Sequence, residues 1–169
     1  MKKSFWIIAI LLVSTSAFSQ SKIGYISIQE LMIVMPEYKK AEADLLDYQK
    51  ALVDQGNELQ KEFVKRDSLD KIESAKWTPA QREVKRKELE QMYRRVMGYN
   101  EEANQLFTQK EQTLILPIQR KAIKIVQEVG KENGYSYILN KEHLIAYPTA
   151  DDLLPLVLKK LNLKVELPK

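Results

Sequence analysis

The chain is punctuated symmetrically, and that punctuation limits what it can fold into. Pro36 and Pro117 lie equally far from a centre near Trp77, and so do Gly56 and Gly98. At the centre stands Trp77-Thr78-Pro79. There a threonine can cap a helix, and proline is tolerated at the first helical position. Folding the chain at this point brings the two prolines together and sets the two glycines at matching height. Each arm then holds about 40 residues, or roughly 60 Å of helix at 1.5 Å per residue. A monomer cannot wrap a core around rods of that length, so the expectation is a projecting helical hairpin.

Heptads support the hairpin. Tyr38, Leu45, Leu52 and Leu59 recur every seven residues, with Ala41, Tyr48, Gln55 and Glu62 as a companion row that turns polar toward the tip. On the returning arm, Leu89, Val96 and Ala103 form one row and Met92, Tyr99 and Leu106 the other. Alternating spacings of three and four make a coiled-coil seam. Thr78-Pro79-Ala80-Gln81 has the pattern of a capping box, which places the turn within Ser74 to Trp77. Gly56 and Gly98 read either as a compliant hinge in the arm or as a point of close helix packing. Leu46, Val53, Phe63, Val64, Tyr93, Met97 and Phe107 lie off the seam. They either broaden the packed stripe or present a surface that accepts varied apolar partners.

The flanks read differently. Lys2 and Lys3 precede the apolar run Phe5 to Val13, and small residues follow around Ala17-Phe18-Ser19. This is the layout of a cleaved secretory signal peptide, expected over residues 1–19. The run is too short to span a bilayer. The chain has no cysteine, which excludes disulfides and a lipid-modified cysteine. Of 27 Lys+Arg and 23 Asp+Glu, two lysines leave with the signal, so the remainder carries 25 − 23 = +2. That is not the concentrated footprint of a nucleic-acid binder. The basic run around Arg82, Lys85 and Arg86 is a wet helix face or, alternatively, an anion-binding patch near the tip.

Residues 20–35 and 118–169 are expected to form a small body, with 36–117 as the inserted arm and its tip near 74–78. Lys22 to Ser27 reads as a strand, with Ile23 and Tyr25 on one face. Ser27-Ile28-Gln29-Glu30 is a capping box before a short helix that Pro36 ends or re-aims. After Pro117 a helix resumes through Ile118, Ala122, Ile125 and Val129 and stops at Asn133-Gly134. Tyr135 to Asn140, carrying Tyr137, Ile138 and Leu139, reads as a second strand. Leu144 to Pro148, carrying Ile145 and Tyr147, reads as a third, and Asp151 to Leu163 as a last helix. Three short strands with few apolar residues behind them leave free edges, which association of several copies would close. The fold class is α+β, mostly helical.

Nothing here is catalytic. There is no glycine-rich phosphate loop, and His143, the single histidine, sits in a predicted turn. No cofactor or metal is expected, and carboxylates on these helices have Lys and Arg to pair with. A structural coiled-coil adaptor or tether of the envelope is the alternative to a protein that grips varied partners.

The opening Lys22-Ile23-Gly24-Tyr25-Ile26, the long charged hairpin, the stretch from Ala122-Ile123-Lys124-Ile125-Val126 through Glu132-Asn133-Gly134-Tyr135-Ser136-Tyr137-Ile138-Leu139, and the helix from Asp152 to Leu161 together resemble the Skp/OmpH family of periplasmic chaperones. The resemblance implies a homotrimer whose short strands pool into a barrel-like body, with three hairpins projecting as tentacles around a cavity. It implies that unfolded outer-membrane proteins are held there without ATP, and that lipopolysaccharide or another anionic lipid is a further contact. The family often has threonine where Leu154 stands, two residues after the aspartate that opens the last helix.

Overall fold

The computed structural model describes residues 21–163. The expected signal segment, residues 1–19, lies outside them. In chain order the elements are β1 (Lys22–Ile26), α1 (Ile28–Val34), α2 (Pro36–Glu73), α3 (Pro79–Glu132), β2 (Tyr135–Asn140) and α4 (Leu154–Lys160). The architecture is mostly helical with one two-stranded sheet. Two compact units divide it: Met32–Lys121, and the described residues up to Leu31 together with those from Ala122 on.

In the second of these units, β1 and β2 pair in parallel, with Ile23 opposite Tyr137 and Tyr25 opposite Leu139. Parallel neighbours need a long crossover, and α1, α2 and α3 all lie between these two strands in sequence. Tyr25 and Ile26 are buried, while Ile23 is half-exposed. Gly24 is required by packing, because a β-carbon there would stand 2.2 Å from Leu153 Cδ1 and 2.6 Å from the Tyr135 ring. Leu31, Val129, Leu153, Leu154 and Val157 complete a core that is shut off from solvent.

Local signals set most of the helix limits. Ser27 Oγ accepts from Glu30 N at 3.2 Å, the first half of a capping box. The second half does not form. The Glu30 carboxylate instead accepts from Lys141 Nζ at 2.7 Å, and Ser27 Oγ donates to Glu142. Pro36 opens α2 at its first turn. Thr78 Oγ1 accepts from Gln81 N, and Gln81 Oε1 accepts from Thr78 N, so the box before α3 is complete. Gly134 adopts φ 73°, the left-handed conformation that ends α3 with little strain.

Three expectations are corrected. Pro117 does not interrupt the helix, because α3 runs unbroken for 54 residues with Pro117 inside it. Proline in a helix interior costs about 3 kcal/mol. Ile118, Ala122, Val126 and Val129 are all buried downstream, and each such side chain contributes roughly 1.5–3 kcal/mol for the larger residues, so continuity wins. Leu144 to Pro148 is not a strand. The edge of β1 away from β2 is taken by Asp152, which bridges Tyr25, and by Leu153 N, which donates to Tyr25 O at 2.9 Å. Ile145 is left fully exposed, and Tyr147 tilts onto Tyr25 with ring centroids 4.4 Å apart. The last helix is shorter than 151–163 because Asp152 Oδ1 accepts from Leu154 N at 2.9 Å, an aspartate turn that delays helix entry. That bond satisfies the Leu154 amide without a threonine there.

Candidate functional site

Within Met32–Lys121, α2 and α3 touch at a ladder of points. Glu37 pairs with Lys121. Tyr99 Oη donates to Leu52 O at 2.8 Å. The rings of Phe63 and Tyr93 lie 5.8 Å apart, and Arg66 Nη2 meets Glu88 Oε2 at 3.2 Å. Partner numbers fall along α3 as they rise along α2. The heptad rows lie at this contact but are only partly covered. Ala41, Leu52 and Tyr99 are buried, whereas Leu45, Leu59, Leu89, Val96 and Leu106 keep intermediate exposure. Two helices alone bury one side of each seam residue and leave its flank open.

Tyr99 ties the seam by hydrogen bonding as well as by packing. Its hydroxyl reaches Gln55 Oε1 at 3.2 Å as well as Leu52 O. Burial pushes the phenol above its ordinary value, with the Glu102 carboxylate adding to the effect. The group therefore stays a donor at neutral pH. Gly56 makes room for its ring, since a β-carbon at Gly56 would lie 2.9 Å from Tyr99 Cε1. Gly98 has no such neighbour. The two glycines stand near the same height but in different surroundings.

The off-seam residues divide three ways. Leu46, Val53, Val64, Tyr93 and Met97 are between 49% and 67% exposed, too open to count as core. Phe63 leans on Tyr93. Val53 and Phe107 line a cleft of about 600 Å³ between α2 and α3, whose floor includes Leu52 and Tyr99. The sequence reading missed Leu69, Ile72 and Val84, which are also exposed, near the end of α2 and the start of α3. Ile72 and Val84 break the heptad as Leu46 does, so the same criterion extended toward the tip finds them, whereas Leu69 continues the row of Ala41, Tyr48, Gln55 and Glu62 and is exposed all the same.

A second cleft, of about 620 Å³, lies farther toward the break between the helices. Charge surrounds it: Glu62, Lys65, Arg66, Glu88 and Arg95. Arg66 bridges Asp70 at 3.0 Å as well as Glu88, and Lys85 Nζ reaches Glu88 at 2.8 Å. The Lys85 hydrogen bond, with Arg66 nearby, holds the Glu88 carboxyl below its ordinary value. Asp70 is buried although charged, and its Oδ2 has no partner. Lys85 is part of this network, and Arg82 and Arg86 are exposed.

In the other unit, the predicted body residues split by face. Tyr25 and Ile26 are core. Ile23, Tyr137, Leu139, Ile145 and Tyr147 are exposed, and Ile138 packs over Gly130. His143 is exposed in a one-turn segment, Lys141–His143. Among the described residues no group of His, Cys, Asp and Glu is arranged to hold a metal ion, and no helix is long and apolar enough to cross a membrane.

The model of a protein family described as outer membrane protein (OmpH-like) matches residues 22–161. A crystal structure of an OmpH-like outer membrane chaperone candidate from Caulobacter crescentus CB15 superposes with a TM-score of 0.72 at 11% sequence identity, over 89% of each chain. At that identity the likeness is one of fold. No curated protein matches. The family match runs from the first residue of β1 to one residue past α4, and on it the chain belongs to the OmpH-like outer membrane protein family.

Proposed function

We propose that this protein is an ATP-independent holdase chaperone of the periplasm, which keeps unfolded outer-membrane proteins from aggregating. The observation that carries the reading is the row of open apolar side chains on α2 and α3 — Leu46, Val53, Val64, Tyr93 and Met97 — on helices otherwise covered with interleaved charge. Apolar surface of this kind contributes roughly 25 cal/mol per Å² when a partner covers it. Scattered side chains hold many sequences loosely, whereas a shaped pocket would select one.

In this reading residues 1–19 are a cleaved signal peptide, 20–35 with 118–169 form the body, and 36–117 form an antiparallel coiled-coil arm with its tip at 74–78. Three copies assemble. The exposed Ile23, Tyr137, Leu139, Ile145 and Tyr147 become shared core, strands from the copies close into a small barrel, and the arms enclose a cavity. Gly56 and Gly98 are the arm's hinge. Arg82, Lys85 and Arg86 meet anionic lipid. The fold of the Caulobacter chaperone candidate and the family match support the chaperone role.

The test is to dilute a urea-unfolded outer-membrane protein into buffer with the mature chain and follow light scattering. At one assembly per client, scattering is expected to be suppressed. Replacing Leu46, Val64 and Met97 together by serine should restore much of it while leaving far-UV circular dichroism unchanged. A client that aggregates at the same rate with and without the wild-type chain overturns the holdase in favour of a tether. Native mass decides the assembly: about three protomers supports the cavity, and a monodisperse monomer removes it.

A further inference from the structure

The cleft between α2 and α3 beside Tyr99 is lined without a single charged residue, in a chain that is 30% Asp, Glu, Lys and Arg. Its rim is instead made of side-chain amides: Gln49, Asn57 and Gln60 from α2, Asn100 and Asn104 from α3. All five are exposed. The cross-helix hydrogen bonds at this level run from Tyr99 to Leu52 and Gln55, and leave the rim amides to solvent. Asparagine is a poor helix former because its amide competes with the backbone. Asn57, Asn100 and Asn104 sit in helix interiors where no cap is needed, so their presence is a local cost with no structural return.

Each amide offers an uncharged acceptor and two donors, which complements the N–H and C=O of a polypeptide main chain and asks for no particular charge on it. The dimensions agree. From Gln49 to Gln60 the helix rises about 16 Å at 1.5 Å per residue, the span of about five residues of extended chain at roughly 3.3 Å each. Extended chain also turns alternate side chains the same way, so one set can rest on Leu52, Val53 and Phe107 while the main chain meets the rim. A charged cleft such as the more distal one would discriminate among segments by their charge.

We propose that this cleft binds about five residues of extended, uncharged polypeptide, reading main-chain amides through its rim. The proposal rests on the holdase reading and names the part of the client that is gripped. The probe is a capped, fluorescently labelled peptide of alternating serine and leucine, six residues long, titrated with the mature chain by anisotropy. A second peptide carries N-methyl groups on its leucine nitrogens, which removes those donors and keeps every side chain.

Methylation is expected to weaken binding to the wild-type chain about tenfold. The triple variant Asn57→Leu, Asn100→Leu, Asn104→Leu should bind the unmethylated peptide about tenfold more weakly and no longer distinguish the two. Leucine favours helix, so the variant retains the arm, checked by circular dichroism, and the methylation comparison needs no variant. Equal binding of both peptides to the wild-type chain overturns the proposal, as does discrimination that survives in the triple variant. A changed native mass in that variant would assign the cleft to a second copy of the chain and overturn it too. If the wild-type chain ignores the peptide yet still suppresses client aggregation, the cleft proposal fails and the holdase stands. If aggregation is unaffected, the holdase itself fails.

Discussion

Leu153 and Val53 are both aliphatic and both lie on or beside a helix, yet one is wholly buried and the other is 57% exposed. The contrast runs through their two units. Around the strands, Ile26, Leu31, Val129, Leu153, Leu154 and Val157 are at most 2% exposed. Along α2 and α3 within Met32–Lys121, apolar burial reaches Ala41, Leu52, Tyr99 and Ile118, while Leu46, Val64, Ile72 and Met97 stay open. The first region spends its apolar residues on its own stability. In the second, the helix backbone satisfies its own hydrogen bonds, a half-covered seam suffices, and apolar surface is left for something else. On the holdase reading proposed above, stability and binding fall to different residues, which allows each to be attacked separately.

The most severe break in that comparison is Leu153→Ala. Leu153 is fully buried, lies over Gly24 and donates its amide to β1. Leucine-to-alanine changes in such sites cost about 2–5 kcal/mol. Urea unfolding at fixed protein concentration, which matters if copies associate, should show a loss in that range. Val53→Ala, measured alongside, should change stability by less than about 0.5 kcal/mol. Similar losses from both would mean that Val53 is covered in solution and that the arm has no free apolar face.

Legibility in the sequence followed the same division. Where local chemistry sets structure, the sequence was sufficient. Thr78-Pro79 with Gln81 starts α3, Pro36 starts α2, and Asn133-Gly134 ends α3 because only a few residue types do those jobs. It failed where a distant partner decides. Glu30 looked like a cap and found Lys141 instead. Leu144 to Pro148 had the alternation of a strand, but Asp152 and Leu153 had already taken the β1 edge. Pro117 looked like a helix boundary, and the burial of Ile118 and Ala122 outweighed it. Of the candidate site, the heptad named Leu46, Val64 and Met97 as off the seam. It gave no hint of the amide rim, because asparagine and glutamine at exposed helix positions look like solvent-facing residues until two helices place them around one cleft.

The two arm glycines sharpen the comparison inside the open region itself. Alanine at either position removes a helix penalty of about 1 kcal/mol. At Gly98 nothing lies in the way, so Gly98→Ala should stabilise by about that amount. At Gly56 the new methyl meets a tyrosine ring tied down by its hydroxyl. Overpacking costs about 1–3 kcal/mol, so Gly56→Ala should come out destabilising by up to about 2 kcal/mol. Urea melts of the two variants should therefore move in opposite directions. If both stabilise, the Tyr99 ring is free to swing away, and the seam is as loosely held here as at its half-exposed neighbours.

The smallest effect concerns the near end of α2, where Glu37 pairs with Lys121. The Lys121 hydrogen bond, followed by one from the residue's own amide, holds the Glu37 carboxyl below its ordinary 4.5, against the opposing push of burial. A depressed carboxylate binds its proton less readily in the folded state than in the unfolded one. It therefore stabilises the fold above the unfolded pKa, and that contribution disappears as pH falls through the folded value. Both side chains are about half exposed, and screening keeps such pairs below about 1 kcal/mol. Glu37→Gln should thus lose a few tenths of a kcal/mol at neutral pH, and the gap from wild type should close as pH drops below about 4.5. Added salt should narrow the neutral-pH gap as well. A gap that ignores both pH and salt would mean that Glu37 acts through packing rather than charge. This end of the helix pair would then belong with the buried region, and the line between the two would have to be drawn farther along α2.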